Sequence, residues 1–164
     1  LQALNSICSL LEKFLPERQN YAQIFNATNA FIDLLSFQDE SKNDYWMEGY
    51  VKWEIGVLSS IGFSLDLNRC AVTGSDTNLV FVSPKTGKAV SKDGAGRYAP
   101  RLLLLPFFLG GDNVIGLNFY KEILAGLNIT SYFFKNKLLL SINTNKPINL
   151  PKPRIRLVEL IEKL

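Results

Sequence analysis

The segment from Leu65 to Arg101, LDLNRCAVTGSDTNLVFVSPKTGKAVSKDGAGRYAPR, constrains the fold most, because it sets two short strand-like runs between stretches of helical periodicity. The runs Leu79 to Val82 and Lys88 to Ser91 flank a Ser-Pro-Lys-Thr-Gly turn, and Asp93-Gly94 supplies a second turn. This is the layout of a small metal knuckle, in which a Cys pair precedes each run. The ligands are missing. Cys70 is the one sulfur in the segment, Thr73 stands where its C-x-x-C partner would fall, and Val90 and Asp93 occupy the expected places of the second pair. Tetrahedral zinc needs four Cys or His ligands, so no zinc site is encoded. Val80, Val82 and Val90 must then hold the hairpin by packing.

The rest of the chain supplies a core around this insertion. Of its 164 residues 47% are hydrophobic and 20% charged, enough for one compact domain. The longest apolar run, Leu102 to Leu109, is broken by Pro106 and falls far short of a bilayer span. Two cysteines, Cys8 and Cys70, make no disulfide framework, which fits a soluble protein of a reducing cytoplasm. The chain has no histidine, the commonest metal ligand and proton shuttle.

Helical spacing predicts a first helix with Leu1, Leu4, Cys8, Leu11 and Leu15 inward, ended by Pro16. Asn20 is placed to cap a second, with Ile24, Phe25, Thr28, Phe31, Ile32 and Leu35 as its buried stripe, followed by a polar loop from Gln38 to Asn43. A third runs from about Asp44 to Ile61 with Trp46, Tyr50, Trp53 and Val57 on one face and Gly62 as its stop. Gly49 and Gly56 lie two turns apart on it and invite close approach of another helix. Beyond the knuckle, Arg101 to Leu109 reads as a short helix interrupted at Pro106. Asp112 and Asn113 can cap a helix over 114–127, and another begins near Thr130. A linker from Asn143 to Pro153 precedes a closing helix, Arg154 to Leu164, with Ile155, Val158, Leu160 and Ile161 inward. The expected fold is mainly α: a helical bundle with a small inserted β-hairpin knuckle, resembling a zinc ribbon without zinc. It forms one domain over 1–164 with the insertion at about 65–100.

Enzyme chemistry has little to stand on. There is no G-x-S-x-G elbow, no P-loop and no convincing acid pair, so no catalytic residue, metal or cofactor is assigned. A nucleophilic Cys70 would need a base, and Arg69 alone is a thin case against a small buried Cys at the base of the knuckle. Gly94 and Gly96 lack the strand, helix and lysine of a phosphate cradle.

Charge points elsewhere. The net charge is +3, but residues 1–56 carry eight acids against four bases and residues 57–164 fourteen bases against seven acids. From Ile123 to Val158 there are six bases and no acid. A surface of this kind attracts polyanions or acidic protein tails, although a merely solvated basic face has the same composition. Two clusters are the candidate DNA-binding residues: Lys85, Lys88, Lys92, Arg97 and Arg101 in the knuckle, and Lys135, Lys137, Lys152, Arg154 and Arg156 toward the C-terminus. Tyr98 lies inside the first and could stack on a base of a single strand, but the reading favours Tyr98 packed under the hairpin. Trp46 and Trp53 belong to a packed seam.

Four stretches together, YWMEGYVKWEIGVLSSIGF, LDLNRCAVTG, VSPKTGKAVSKDGAGRYAPRLL and LPKPRIRLVELIEKL, resemble the C-terminal part of the RecO recombination-mediator family in its metal-free form. The resemblance covers nearly the whole chain. RecO proteins carry an N-terminal OB-fold before these helices; nothing here looks like a five-stranded barrel, so the chain reads as a fragment without it. The resemblance implies a non-enzymatic role in DNA repair and recombination: helping to load the recombinase on single-stranded DNA coated by single-strand-binding protein, and annealing strands. It implies RecR and the acidic, apolar-ended tail of single-strand-binding protein as partners, no membrane, and a cytoplasmic, nucleoid-associated location. This part would then be the helical scaffold and partner-docking half. The alternative is a structural or adaptor helical module that binds a protein partner without DNA contact.

Overall fold

The computed structural model describes residues 1–36, 44–112, 116–136 and 148–164. The loop expected at 38–43, the Asn113 cap, the first part of the Asn143 linker and Lys137 lie outside the described residues. Those described are mainly helical, with one small antiparallel sheet inserted between helices.

Helix α1 (Gln2–Phe14) stops where the residue before Pro16 must be extended, Leu15 taking φ −94° and ψ 118°. Its buried face is Ala3, Ser6, Ile7, Leu10 and Phe14, one position off the expected stripe, so Cys8 is exposed rather than core. Both stripes have helical spacing. The choice goes to the one whose Phe14 stacks on Phe134, centroids 4.9 Å apart, and whose Ser6 hydroxyl meets the Tyr50 hydroxyl. Helix α2 (Ala22–Ser36) opens with the Asn20 side chain accepting from the Ala22 N–H at 3.0 Å, the cap expected of it. Its buried stripe is narrower than expected: Ile24 and Phe31 are inside, whereas Phe25 and Ile32 face outward.

Helix α3 (Trp46–Ser60) is the centre of the bundle, with α2 on one side. Gly49 acts as a spacer there, since a Cβ on it would lie 2.8 Å from Leu34 Cδ2, whereas one on Gly56 would meet Ile24 Cδ1 at an ordinary 3.7 Å. Gly62, at φ +96°, ends the helix in a reversed turn in which Phe63 N–H bonds Leu58 O and Gly62 N–H bonds Ser59 O.

The knuckle strands are β1 (Leu79–Val82) and β2 (Ala89–Ser91), followed by a short helix α4 (Lys92–Ala95), a 3-10 turn over Gly96–Arg101 and β3 (Leu103–Leu104). The order is β2-β1-β3, antiparallel throughout. Asp93-Gly94 is therefore a helical turn, capped by the Ser91 hydroxyl accepting from Gly94 N–H at 3.1 Å. The expected helix over Arg101 to Leu109 is instead a strand between two 3-10 turns, the second spanning Phe107–Leu109. Pro100 and Pro106 each remove an N–H that a helix would need, and the open edge of β1 offers partners to what lies between them, as in Leu105 N–H to Val80 O at 2.8 Å. Asp112 is tied to β1 instead: its carboxylate accepts from Leu79 N–H at 2.8 Å and its own N–H bonds Leu79 O at 2.7 Å, and among the described residues it caps no helix.

Helix α5 (Phe119–Asn136) starts at Asn118, whose side chain accepts from Lys121 N–H at 3.0 Å, and packs against α3 and β3. It runs unbroken past Thr130, where a second helix was expected, although the Thr130 and Ser131 hydroxyls both donate to Leu127 O, at 3.1 and 2.6 Å. Helix α6 (Lys152–Ile161) lies along α1 with Arg154, Leu157 and Ile161 buried, while Ile155 and Leu160, expected inward, are exposed.

Candidate nucleic-acid interface

The knuckle builds its surface over a small polar centre. Cys70, Thr73, Ser91 and Gly94 meet there, so the second pair stands one residue beyond the expected Val90 and Asp93. The Cys70 sulfur accepts from Ser91 N–H at 3.2 Å, Ser91 Oγ at 3.3 Å, and the Val72 and Thr73 N–H groups at 3.4 Å. The Thr73 and Ser91 hydroxyls lie 3.4 Å apart, and a Cβ on Gly94 would come within 2.9 Å of the sulfur. Burial pushes the Cys70 thiol up, but donors from Ser91 and Thr73 outweigh it and bring its pKa down to about 6. Hydrogen bonds thus gather the four positions that thiolates would gather around zinc. Among the described residues no group of three or more Cys, Asp or Glu is placed to hold a metal ion.

Outside this centre lies an open pocket of about 420 Å³, walled by Val72, Pro84, Val90, Tyr98 and Leu102, with Lys85 and Arg101 also lining it. Among the described residues no carboxylate lines it. Tyr98, expected under the hairpin, is 52% exposed; Leu79, Val80, Val82, Val90 and Ala95 already fill that space. The Arg97 guanidinium lies 5.2 Å from the Tyr98 ring centroid and donates to its hydroxyl at 3.2 Å. Lys85, Arg97 and Arg101 thus collect around one aromatic wall. Lys88 turns to the other edge of the hairpin, 3.9 Å from Asp66, a half-exposed pair of little energetic weight. Lys92 is exposed at the start of α4.

The C-terminal cluster does not hold together. Arg154, expected on the basic surface, is 2% exposed and forks onto Glu54, Nε to Oε1 and Nη2 to Oε2 both at 3.0 Å. Nη2 also reaches Leu127 O at 3.0 Å and Thr130 Oγ1 at 3.1 Å, and the Thr130 hydroxyl donates to Glu54. Burial lowers the guanidinium's pKa, but the adjoining Glu54 carboxylate outweighs it and pushes it up. Burial and Glu54 raise the neighbouring Tyr50 hydroxyl well above its ordinary value. Arg154 is a structural tie between α3, α5 and α6, not a surface cation. Lys135 lines a pocket of about 380 Å³ between α5 and α6 in the company of Glu159 and Glu162, which cut its pull on an anion. Lys152 and Arg156 are exposed one turn apart on α6.

Sequence reading missed Val72, Pro84 and Leu102 as pocket walls and Ser91 as a core polar residue. Ser91 could have been found: Ser-x-x-Gly at 91–94 repeats the spacing of Cys-x-x-Thr at 70–73.

The family model for the recombination protein O C terminal matches residues 1–146. The chain belongs to the RecO family. A DNA repair protein RecO from Cereibacter sphaeroides is 41% identical over 163 residues, which is 99% of this chain and 63% of the relative. Those from a Ruegeria species and from Rhodospirillum centenum are 38% and 39% identical over 99% of the chain, covering 63% and 61% of their own lengths. The chain therefore spans less than two thirds of the length of these RecO relatives. No solved structure matches it significantly. Among the described residues no helix is long and apolar enough to cross a membrane.

Proposed function

We propose that this RecO-family chain is a single domain with an inserted knuckle that serves DNA repair and recombination without catalysis, binding single-stranded DNA at the knuckle. The observation that carries the reading is that Lys85 and Arg101 line one open pocket with the exposed Tyr98, over whose ring Arg97 lies. Three cations and an aromatic ring are the two ingredients of sequence-independent single-strand binding. The relatives are named DNA repair proteins, which supports the same role. In this reading the chain helps load the recombinase on DNA coated by single-strand-binding protein, anneals strands, works beside RecR, and acts in the cytoplasm at the nucleoid.

A site for the acidic, apolar-ended tail of single-strand-binding protein is supported along α5. One pocket there, of about 470 Å³, is lined by Leu102, Leu103, Leu104, Leu117, Lys121 and Leu124. It shares Leu124 and Asn128 with the pocket that holds Lys135. Apolar side chains beside Lys121 suit such a tail, while Glu159 and Glu162 weaken what Lys135 adds.

The test is fluorescence anisotropy of a labelled single-stranded oligonucleotide at several salt concentrations. Charge reversal of Lys85, Arg97 and Arg101 to Glu should weaken binding and flatten the plot of log affinity against log salt by about 2 units, roughly 0.7 for each phosphate no longer neutralised. An unchanged slope in a folded triple variant rejects the knuckle as the DNA surface.

The adaptor reading has its own support. An apolar pocket of about 360 Å³ opens at one end of the bundle, where Leu1, Leu35, Trp46, Leu157, Leu160 and Leu164 meet. Partner binding there with no salt-dependent DNA affinity anywhere on the chain would favour it.

A further inference from the structure

We propose that the knuckle pocket takes an unstacked nucleobase, inserted beside Tyr98, while the flanking phosphates lie on Lys85, Arg97 and Arg101. This rests on the single-strand-binding reading and adds to it a defined place for one base. At about 420 Å³ the pocket falls within the roughly 300–1,000 Å³ of small-molecule sites. Its walls are flat or aliphatic: Tyr98 on one side, and Val72, Pro84, Val90 and Leu102 around it. Ser83 and Thr86, from the turn that joins β1 and β2, line it as well; their hydroxyls accept from the Thr86 and Lys88 N–H groups and keep a proton to donate to the polar edge of a base.

Tyr98 is held ready for stacking. Arg97 covers part of its ring and binds its hydroxyl, so the side chain loses little further freedom on binding. Every base presents a π-face, so such a wall captures a base of any sequence, provided that the base is out of a duplex. An apolar side chain from an acidic peptide is the competing occupant. The base is favoured because the cation-backed aromatic wall and the hydroxyls suit a flat, polar-edged ring better than an aliphatic group.

Oligonucleotides of thymidine, intact or carrying abasic sites, separate these outcomes when titrated into the chain by fluorescence anisotropy. Intact DNA should bind about five- to a hundredfold more tightly than abasic DNA. Tyr98→Ala should lose that same factor on intact DNA, keep the salt slope, and no longer distinguish the two oligonucleotides. Tyr98→Trp should retain the preference, and Val72→Glu, on an exposed wall position, should abolish it. Equal binding of intact and abasic DNA by the unaltered chain, with a normal salt slope, overturns the base pocket and leaves the DNA-binding reading standing. No binding of either oligonucleotide at low salt overturns both. If Tyr98→Ala binds DNA normally but loses an acidic peptide with an apolar C-terminus, the pocket belongs to a protein tail and the proposal fails.

Discussion

The bundle centre and the knuckle centre solve the same problem with opposite means. In the bundle a full charge is taken inside: Glu54 is wholly buried and Arg154 answers it, with Thr130 and Leu127 completing the set. In the knuckle the buried Cys70 sulfur is answered by neutral donors from Ser91, Val72 and Thr73, and the cations stay outside on Lys85, Arg97 and Arg101. The difference teaches that basic residues in one chain are not one population. Some close the fold, and only the others stay at the surface where a polyanion can meet them.

Installing a metal would break this contrast most sharply. Thr73→Cys, Ser91→Cys and Gly94→Cys together would place four sulfurs around one point, and the variant should bind one equivalent of zinc with an apparent free energy of order 10 kcal/mol. Metal analysis after dialysis checks it; a folded variant without zinc would mean that the four positions do not converge as ligands.

Removing one member of the bundle pair comes next. Arg154→Met alone should cost about 3–5 kcal/mol in urea unfolding, because it strands a buried carboxylate. Adding Glu54→Leu should restore much of the loss. A single variant as stable as the parent would show that Glu54 finds water or a proton instead.

Neither Arg154 nor its role was legible in the sequence. It sits in an acid-free run from 123 to 158, as any surface cation would, and its partner lies 100 residues away. Arg101 looked the same and stays at the surface. By contrast α1, α2 and α3 were readable, because Asn20, Pro16 and Gly62 act on their nearest neighbours. Cys8 failed because two stripes of equal period compete on α1 and partners far along the chain, Tyr50 and Phe134 among them, decide between them. The two-residue β3 was hidden for a related reason: its stability lies in the free edge of β1, not in its own side chains. At the candidate site the cations were readable as types, while the pocket needed the register that brings Val72, Pro84 and Leu102 together.

A smaller effect should come from acid. The Cys70 pKa is lowered to about 6 from 9.0, so between these values the unfolded chain holds a proton that the folded one has released. Stability should therefore rise with pH across that window, by at most about 1.4 kcal/mol per unit, and fade as pH falls through 6. Cys70→Ser should flatten this part of the curve, measured as urea midpoints at successive pH values. A parent protein with no slope there would place a neutral thiol in the knuckle.

The smallest effect belongs to Gly56. A Cβ there would meet Ile24 Cδ1 at an ordinary 3.7 Å, so Gly56→Ala should stabilise the chain by about 0.5–1 kcal/mol through helix propensity. A loss on thermal unfolding would show that the α2 and α3 backbones pack more tightly than this distance implies.

The tie between Glu54 and Arg154 also bears on how the protein is made. The carboxylate leaves the ribosome with α3, whereas the guanidinium follows a hundred residues later on the last helix. Until then α3 cannot bury Glu54 without leaving a charge unanswered, which argues for a bundle that closes only after the segment carrying Arg154 has emerged. A nascent or truncated chain ending before Arg154 would carry every earlier helix and still lack the contact that lets them close around α3.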